Sequence, residues 1–314
     1  MTFTANEAYQ LCYWLDTAPT LPPTAPPSGW SFHFVPAELN NNYAVILQNN
    51  ADAHQFAVVI QGTHDKAQIL DDLAIDSPVD FKSSMRDPII AGARIANGAD
   101  AAFANVLGLH LVGSLTTLEE ILTSIPWEHS SVLITGHSLG GTIASLLAPW
   151  LAASMKKETP LKKPLPSNIQ AVTFAAFAAG NQPFADYLSD SAQYQANINV
   201  NDIVPYVWAT TGPYRASHIH TMFDKVHLPM PEDMKVLLKC RLAKIPQNFN
   251  YIQTSNPTTF AGTLTAAPSF SDCNQKDVKN LQWAWEVSLQ HNYAYCVQYI
   301  GNGCQQPDAK CPKS

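Results

Sequence analysis

Three early segments, GWSFHFVP (29–36), YAVILQNN (43–50) and QFAVVIQGT (55–63), are dense in β-branched and aromatic residues and are separated by Asn, Asp and Pro. That pattern predicts successive strands. They follow a short helical start (Ala5 to Leu15) and a proline-rich stretch, APTLPPTAPPSGW, that cannot form regular helix and is expected to run extended. Past Gly62 the period changes: apolar residues recur at helical spacing in AQILDDLAI, IIAGARIANGADAAFANVLGLHLV and TTLEEILTSI. SVLITG is then an apolar run of strand length. LGGTIASLLAPWLAASM reads as a helix whose Gly140, Gly141 and Ala144 let it lie close against a sheet, and IQAVTFAAF reads as another strand. A short helix around Phe184 to Leu188 precedes YQANINVNDIVP, again strand-like. Strands alternating with helices imply parallel pairing, so the expected class is α/β, with a mostly parallel central sheet flanked by helices. Residues 206–280 are less regular, with a helical piece near Pro231 to Ala243. They read as an excursion over the sheet, which leaves 1–314 as a single domain.

Composition narrows this picture. With 314 residues, 46% of them hydrophobic, the chain can fill one large core. A net charge of −7 without long charged runs gives no footprint for nucleic acid. The basic cluster MKKETPLKKP reads as a solvated loop. From Ser131 to Met155 no residue is formally charged, but Gly136, Gly140, Gly141 and Pro149 interrupt the stretch, so a buried strand and helix are expected and no transmembrane segment. The start lacks a basic region followed by an apolar run, so no secretion signal is visible. Secretion, as a mature form or by signal-independent export, is set slightly ahead of a cytoplasmic location. Of six cysteines, Cys12 and Cys240 are isolated, while Cys273, Cys296, Cys304 and Cys311 crowd the end without metal-type spacing. One or two C-terminal disulfides are expected, with Cys304 and Cys311 the nearest pair.

The chemistry begins at TGHSLGGT (135–142). A serine flanked by glycines two positions away is either a tight strand-to-helix turn or a nucleophile presented on one. A helix starting directly after Ser138 would aim its free N–H groups and positive dipole end at the reaction centre, and the Leu139 N–H can donate to a developing oxyanion. A serine hydroxyl is inert near neutral pH unless a base takes its proton, and an imidazole base needs a carboxylate to fix its tautomer. Asp202 follows a strand-like run and is the candidate acid. His218, His220, His227 and His291 all lie downstream of it as candidate bases, whereas His137 is expected to pack.

Five fragments carry a resemblance in the right order. VLITGHSLGGTIASLLA is similar to the nucleophile segment of the class 3, fungal-type lipase family of the α/β hydrolases. VVIQGT resembles its oxyanion strand, with Gln61 in place of the usual arginine. TFAAFAAGNQPFADYL resembles its Thr-Phe-Gly-x-Pro stretch without the glycine and proline. Val200 to Pro205 resemble its Asn-Asp-x-Val-Pro acid site, and HNYAYCVQY its histidine segment. The resemblance implies an α/β-hydrolase fold with Ser138 as nucleophile, Asp202 as orienting acid and His291 as base. It implies Thr63 and Leu139 as the oxyanion hole and Asp72 as a support for Thr63. It further implies a lid-like helix within 63–80, where Ile69, Leu70 and Leu73 share a face, and a cap-like excursion at 206–280. No metal or cofactor is called for. The expected activity is triacylglycerol hydrolysis, with a lipid or other ester as partner. A phospholipase or short-chain esterase on the same residues, or a non-catalytic lipid-surface relative, are the alternatives. Oligomeric state is not readable.

Overall fold

A computed structural model describes residues 2–36, 42–62, 74–82, 90–127, 129–158, 168–254, 256–266, 268, 270 and 275–308. In chain order these form α1 (Ala5–Asp16), β1 (Trp30–Phe34), β2 (Ala44–Asn49), β3 (Gln55–Ile60), β4 (Val79–Asp80), β5 (Arg94–Ile95), α2 (Asn97–Leu107), α3 (Leu118–Ser124), β6 (Ser131–His137) and α4 (Leu139–Glu158). They continue with β7 (Ile169–Phe174), α5 (Gln182–Ser191), β8 (Gln193–Asn199), α6 (Glu232–Leu242), β9 (Thr258–Phe260), α7 (Gln275–Ser288), a π turn (Leu289–Tyr293) and α8 (Ala294–Tyr299).

Seven strands form one sheet in the order β1-β2-β3-β6-β7-β8-β9. β1, β2 and β3 pair antiparallel at one side, and β3, β6, β7, β8 and β9 run parallel. The fold is that of an α/β hydrolase, a mostly parallel central sheet flanked by helices. Successive side chains on a strand point to opposite faces, so neighbours in the sequence serve different cores. Ile46, Val58, Ile134 and Ala171 join one cluster with α2, α3 and α4, while Val45, Val59, Leu133 and Val172 join a second with α1 and α8. Burial on both faces explains why these strands read as unbroken apolar runs. It also explains the uncharged stretch from Ser131 to Met155, which is a central strand followed by a helix packed on it. No helix among the described residues is long and apolar enough to cross a membrane.

Several expectations need correction. The helical pattern drawn from Ile89 to Val112 yields a helix only over Asn97–Leu107. Gly92 sits at φ +79°, a left-handed turn, and Arg94–Ile95 pair with Val79–Asp80 as a short ribbon. The excursion after residue 206 contributes a strand, since Thr258–Phe260 extend the parallel sheet beside Asn197–Asn199. Its apolar residues, among them Trp208, Phe223 and Leu238, share the cluster that fills one face of the sheet. The long C-terminal helix, from Gln275, was not anticipated beyond its histidine segment. Cys304 pairs with Cys296, at a Cα–Cα distance of 5.8 Å, and not with Cys311. Gly301 and Gly303, both at positive φ, turn the chain back onto α8 and bring Cys304 to Cys296. Cys12 and Cys240 are free; Cys273 and Cys311 lie outside the described residues.

Candidate active site

Ser138 sits between β6 and α4 with φ +59°, in the left-handed region that costs a non-glycine residue about 1 kcal/mol or more. The backbone can turn this sharply because the positions around it have no Cβ. A Cβ on Gly136 would run into the backbone of Gly140, and one on Gly140 into the carbonyl of Ile60 at the end of β3. The turn is held by its own main chain: the Ser138 N–H donates to the Phe174 carbonyl at 2.9 Å and the Thr142 N–H to the Ser138 carbonyl at 3.1 Å. The Ser138 hydroxyl is buried and makes no hydrogen bond to the described residues. Leu139 is the first residue of α4, so its N–H belongs to the first turn, which lacks intrahelical acceptors.

Asp202 and His291, 89 positions apart, meet at 2.9 Å through Asp202 Oδ2 and His291 Nδ1. Asp202 is fully buried, and its second oxygen accepts the Val204 N–H at 2.9 Å. Burial first, then the Asp202 charge, push the Tyr295 hydroxyl well above its ordinary pKa. The histidine lies in the π turn, a rare form found disproportionately at functional sites.

A buried polar network fixes that turn to the end of β8. The Asn199 amide donates to the Gln290 carbonyl at 2.8 Å and to Gln290 Oε1 at 2.9 Å, while Gln290 Nε2 donates to Glu286 at 2.8 Å and to the Thr263 carbonyl at 2.9 Å. Gly262 donates its N–H to Asn199 Oδ1 at 2.8 Å, and a Cβ there would overlap Gln290 Oε1. Burial raises the Glu286 pKa, opposed by the Gln290 and Thr265 hydrogen bonds.

Ser138 and His291 open into one cavity of about 340 Å³, also lined by Asp16, Gln61, His137 and Asn292. A hydroxyl and an imidazole facing one space, with the far ring nitrogen held by a buried carboxylate, can move a proton between substrate and protein. The rival histidines are elsewhere: His218, His220 and His227 are exposed, and His218 sits at 3.1 Å from the Arg215 side chain. His137 is buried, donates from Nε2 to the His291 carbonyl at 2.8 Å, and touches the Tyr9 and Tyr295 rings edge-on. Thr63 and Asp72, and the lid candidate up to residue 73, lie outside the described residues. Sequence reasoning missed Asp16 and the cavity role of His137. The one available signal was an isolated acid at the last position of an otherwise amphipathic helix.

Residues 57–211 match the model of the class 3 lipase family. No curated protein matches the sequence. Among solved structures, M37 lipase shares the fold, with a TM-score of 0.67 at 20% identity over 87% of this chain and 79% of that one. The triacylglyceride lipase of Rhizomucor miehei aligns with a TM-score of 0.48 at 20% identity, over 68% of this chain and 77% of its own. A triacylglycerol lipase from Penicillium expansum gives 0.46 at 19% identity, over the same shares of the two chains. The matched segment contains Gly62, the strained turn at Ser138 and the buried acid at Asp202, and over residues 57–211 the chain carries the pattern of the class 3 lipase family.

Proposed function

We propose that the protein is a serine carboxylic ester hydrolase, a triacylglycerol lipase in type, acting as one α/β-hydrolase domain. The observation that carries this is the buried Asp202–His291 pair at 2.9 Å, whose imidazole shares a cavity with the unbonded hydroxyl of Ser138. Ser138 Oγ attacks the ester carbonyl while its proton passes to His291 Nε2. Asp202 holds the opposite nitrogen and stabilises the imidazolium. The negative tetrahedral oxygen is received by the N–H groups of Leu139 and Thr63, with Asp72 supporting Thr63. One such donor is worth roughly 3 kcal/mol of barrier. The C–O bond then breaks, the alcohol leaves with the proton from His291, and water, deprotonated by the same imidazole, releases the acid from the acyl-enzyme. The scheme calls for no metal or cofactor.

The family match over residues 57–211 favours lipid esters, and the lid-like helix proposed within 63–80 suits an aggregated substrate. A second reading, a small soluble ester, is favoured by the polar side chains of Asp16, Gln61 and Asn292 around the cavity. Rates on emulsified long-chain triglyceride, phospholipid vesicles and p-nitrophenyl butyrate, each with Ser138→Ala as control, decide between them. The triglyceride is expected to turn over fastest and the variant not at all. Wild-type rates in the variant on every substrate would remove the serine-hydrolase reading.

A further inference from the structure

Asp16 is the last residue of α1, and the reaction above gives it no part. Its position is unfavourable in itself. The carboxylate stands at the negative end of a helix dipole, with no basic residue in the last turn to offset it. Only 26% of its side chain meets solvent. Among the described residues, the titratable groups facing it are His137 from β6, His291 from the π turn, and Tyr9, Cys12 and Tyr13 from its own helix. None of these carries a permanent positive charge. Burial pushes its pKa up to about 7, with the Gly62 N–H and His291 pulling the other way. A charge held where the local helix and the burial both oppose it is a local rule broken, and such breaks cluster at functional sites.

What the side chain touches says what it does. Asp16 Oδ1 accepts the Gly62 N–H at 3.0 Å, and Oδ2 lies 3.9 Å from His137 Nδ1. One residue earlier, the Leu15 carbonyl accepts Gln61 Nε2 at 3.2 Å. Two consecutive residues past the end of β3 are therefore tied to two consecutive residues ending α1. Gly62 packs so closely on the nucleophile turn that a Cβ there would stand 3.0 Å from the His137 carbonyl and 3.7 Å from Ser138 Cβ. Thr63, the proposed oxyanion donor, is the next residue in the chain.

We propose that Asp16 is a positioning and charge-balancing residue for this hydrolysis: it fixes the strand end at Gly62 and, when ionised, stabilises the imidazolium formed as His291 takes the Ser138 proton. The inference rests on the reading of the preceding section. It separates two contributions, because Asp16→Asn keeps an oxygen for the Gly62 N–H and loses only the charge, whereas Asp16→Ala loses both.

The test is the pH dependence of p-nitrophenyl butyrate hydrolysis by the full chain and by both variants, with fluorophosphonate labelling of Ser138 and thermal melts run alongside. In the wild type, protonation of Asp16 withdraws the balancing charge, so log kcat/KM falls more steeply on the acid side than in Asp16→Asn, where that contribution is absent at every pH. In the variant kcat at pH 8 falls about tenfold with KM within about twofold. Asp16→Ala falls further. An Asp16→Asn enzyme that is folded by its melt, labels at Ser138 and keeps the wild-type kcat and acid-side profile overturns the inference alone. A wild type that neither labels at Ser138 nor hydrolyses the ester overturns the hydrolase reading, and this inference with it.

Discussion

At the scale of single residues, Ser138 and Asp16 hold a conformation and a charge that the fold alone does not favour. Ser138 carries φ +59°, and glycine would occupy that backbone without strain. Ser138→Gly should abolish turnover, by about a thousandfold or more, while raising stability by about 1 kcal/mol, read by denaturant melts. Asp16 presents the same trade in electrostatic form. Its pKa is raised from 3.8 to about 7, so the folded state binds its proton more tightly than the unfolded state does. The penalty is absent below about pH 4, grows as pH rises, and is complete above about pH 7. Asp16→Asn removes it. The variant should therefore melt higher than the wild type at pH 8, by roughly 2 kcal/mol once partial solvent exposure is allowed for, and equal to it at pH 4. A stability difference that does not change with pH would contradict the assignment of that charge.

At the scale of elements, the distinctive part is the lock between the end of β8 and the π turn. Asn199, Gln290 and Glu286 are each fully buried, and each uses its partners to satisfy groups that would otherwise be costly to hide. Through them the end of β8, just before the acid-bearing loop, is tied to the histidine-bearing turn. Gly262→Ala would press on Gln290 Oε1 and bring its Cβ within 2.8 Å of Ala294 Cβ. It should lower stability by about 2 kcal/mol and reduce kcat more than it raises KM, because it displaces His291 and leaves the cavity walls in place. Steady-state kinetics on a soluble ester checks this, and an unchanged kcat would show the lock to be dispensable. Little of it was legible in the sequence. Asn199 and Gln290 are ordinary polar residues there, and only the tertiary approach of Gly262 to both makes them a unit. By contrast, β3, β6, β7 and the helix after Ser138 were legible because strands buried on both faces become long apolar runs. The segment from Ile89 to Val112 misled for the opposite reason: its apolar spacing is helical throughout, but Gly92 at positive φ and the pairing of Arg94–Ile95 override it.

At the scale of the molecule, candidate residues scattered from Ser138 to His291 converge because β6 and β8 are parallel and release their chains at the same edge of the sheet. The sharp turn at Ser138 and the strand-end position of Asp202 were legible from motif and order. Asp16 was not, since only the packing of α1 across the sheet carries its end to Gly62. The Cys296–Cys304 bond ties the segment after α8 to the wall of the same cavity, to which Cys296 and Gln305 both contribute. Closing a loop across a sequence separation of 8 stabilises by about 2.5 kcal/mol in the chain-entropy model. Cys304→Ser should thus lower the melting temperature under oxidising conditions and abolish its sensitivity to dithiothreitol at that bond. The account as a whole turns on one claim, that the imidazole of residue 291 draws the proton from the hydroxyl of residue 138. The most direct measurement is the rate and site of fluorophosphonate attachment, mapped by peptide mass spectrometry in the wild type and in His291→Ala. Attachment at Ser138 alone, slowed about a hundredfold or more in the variant, is the predicted result. Attachment at another residue, or at the same rate without the imidazole, would contradict it.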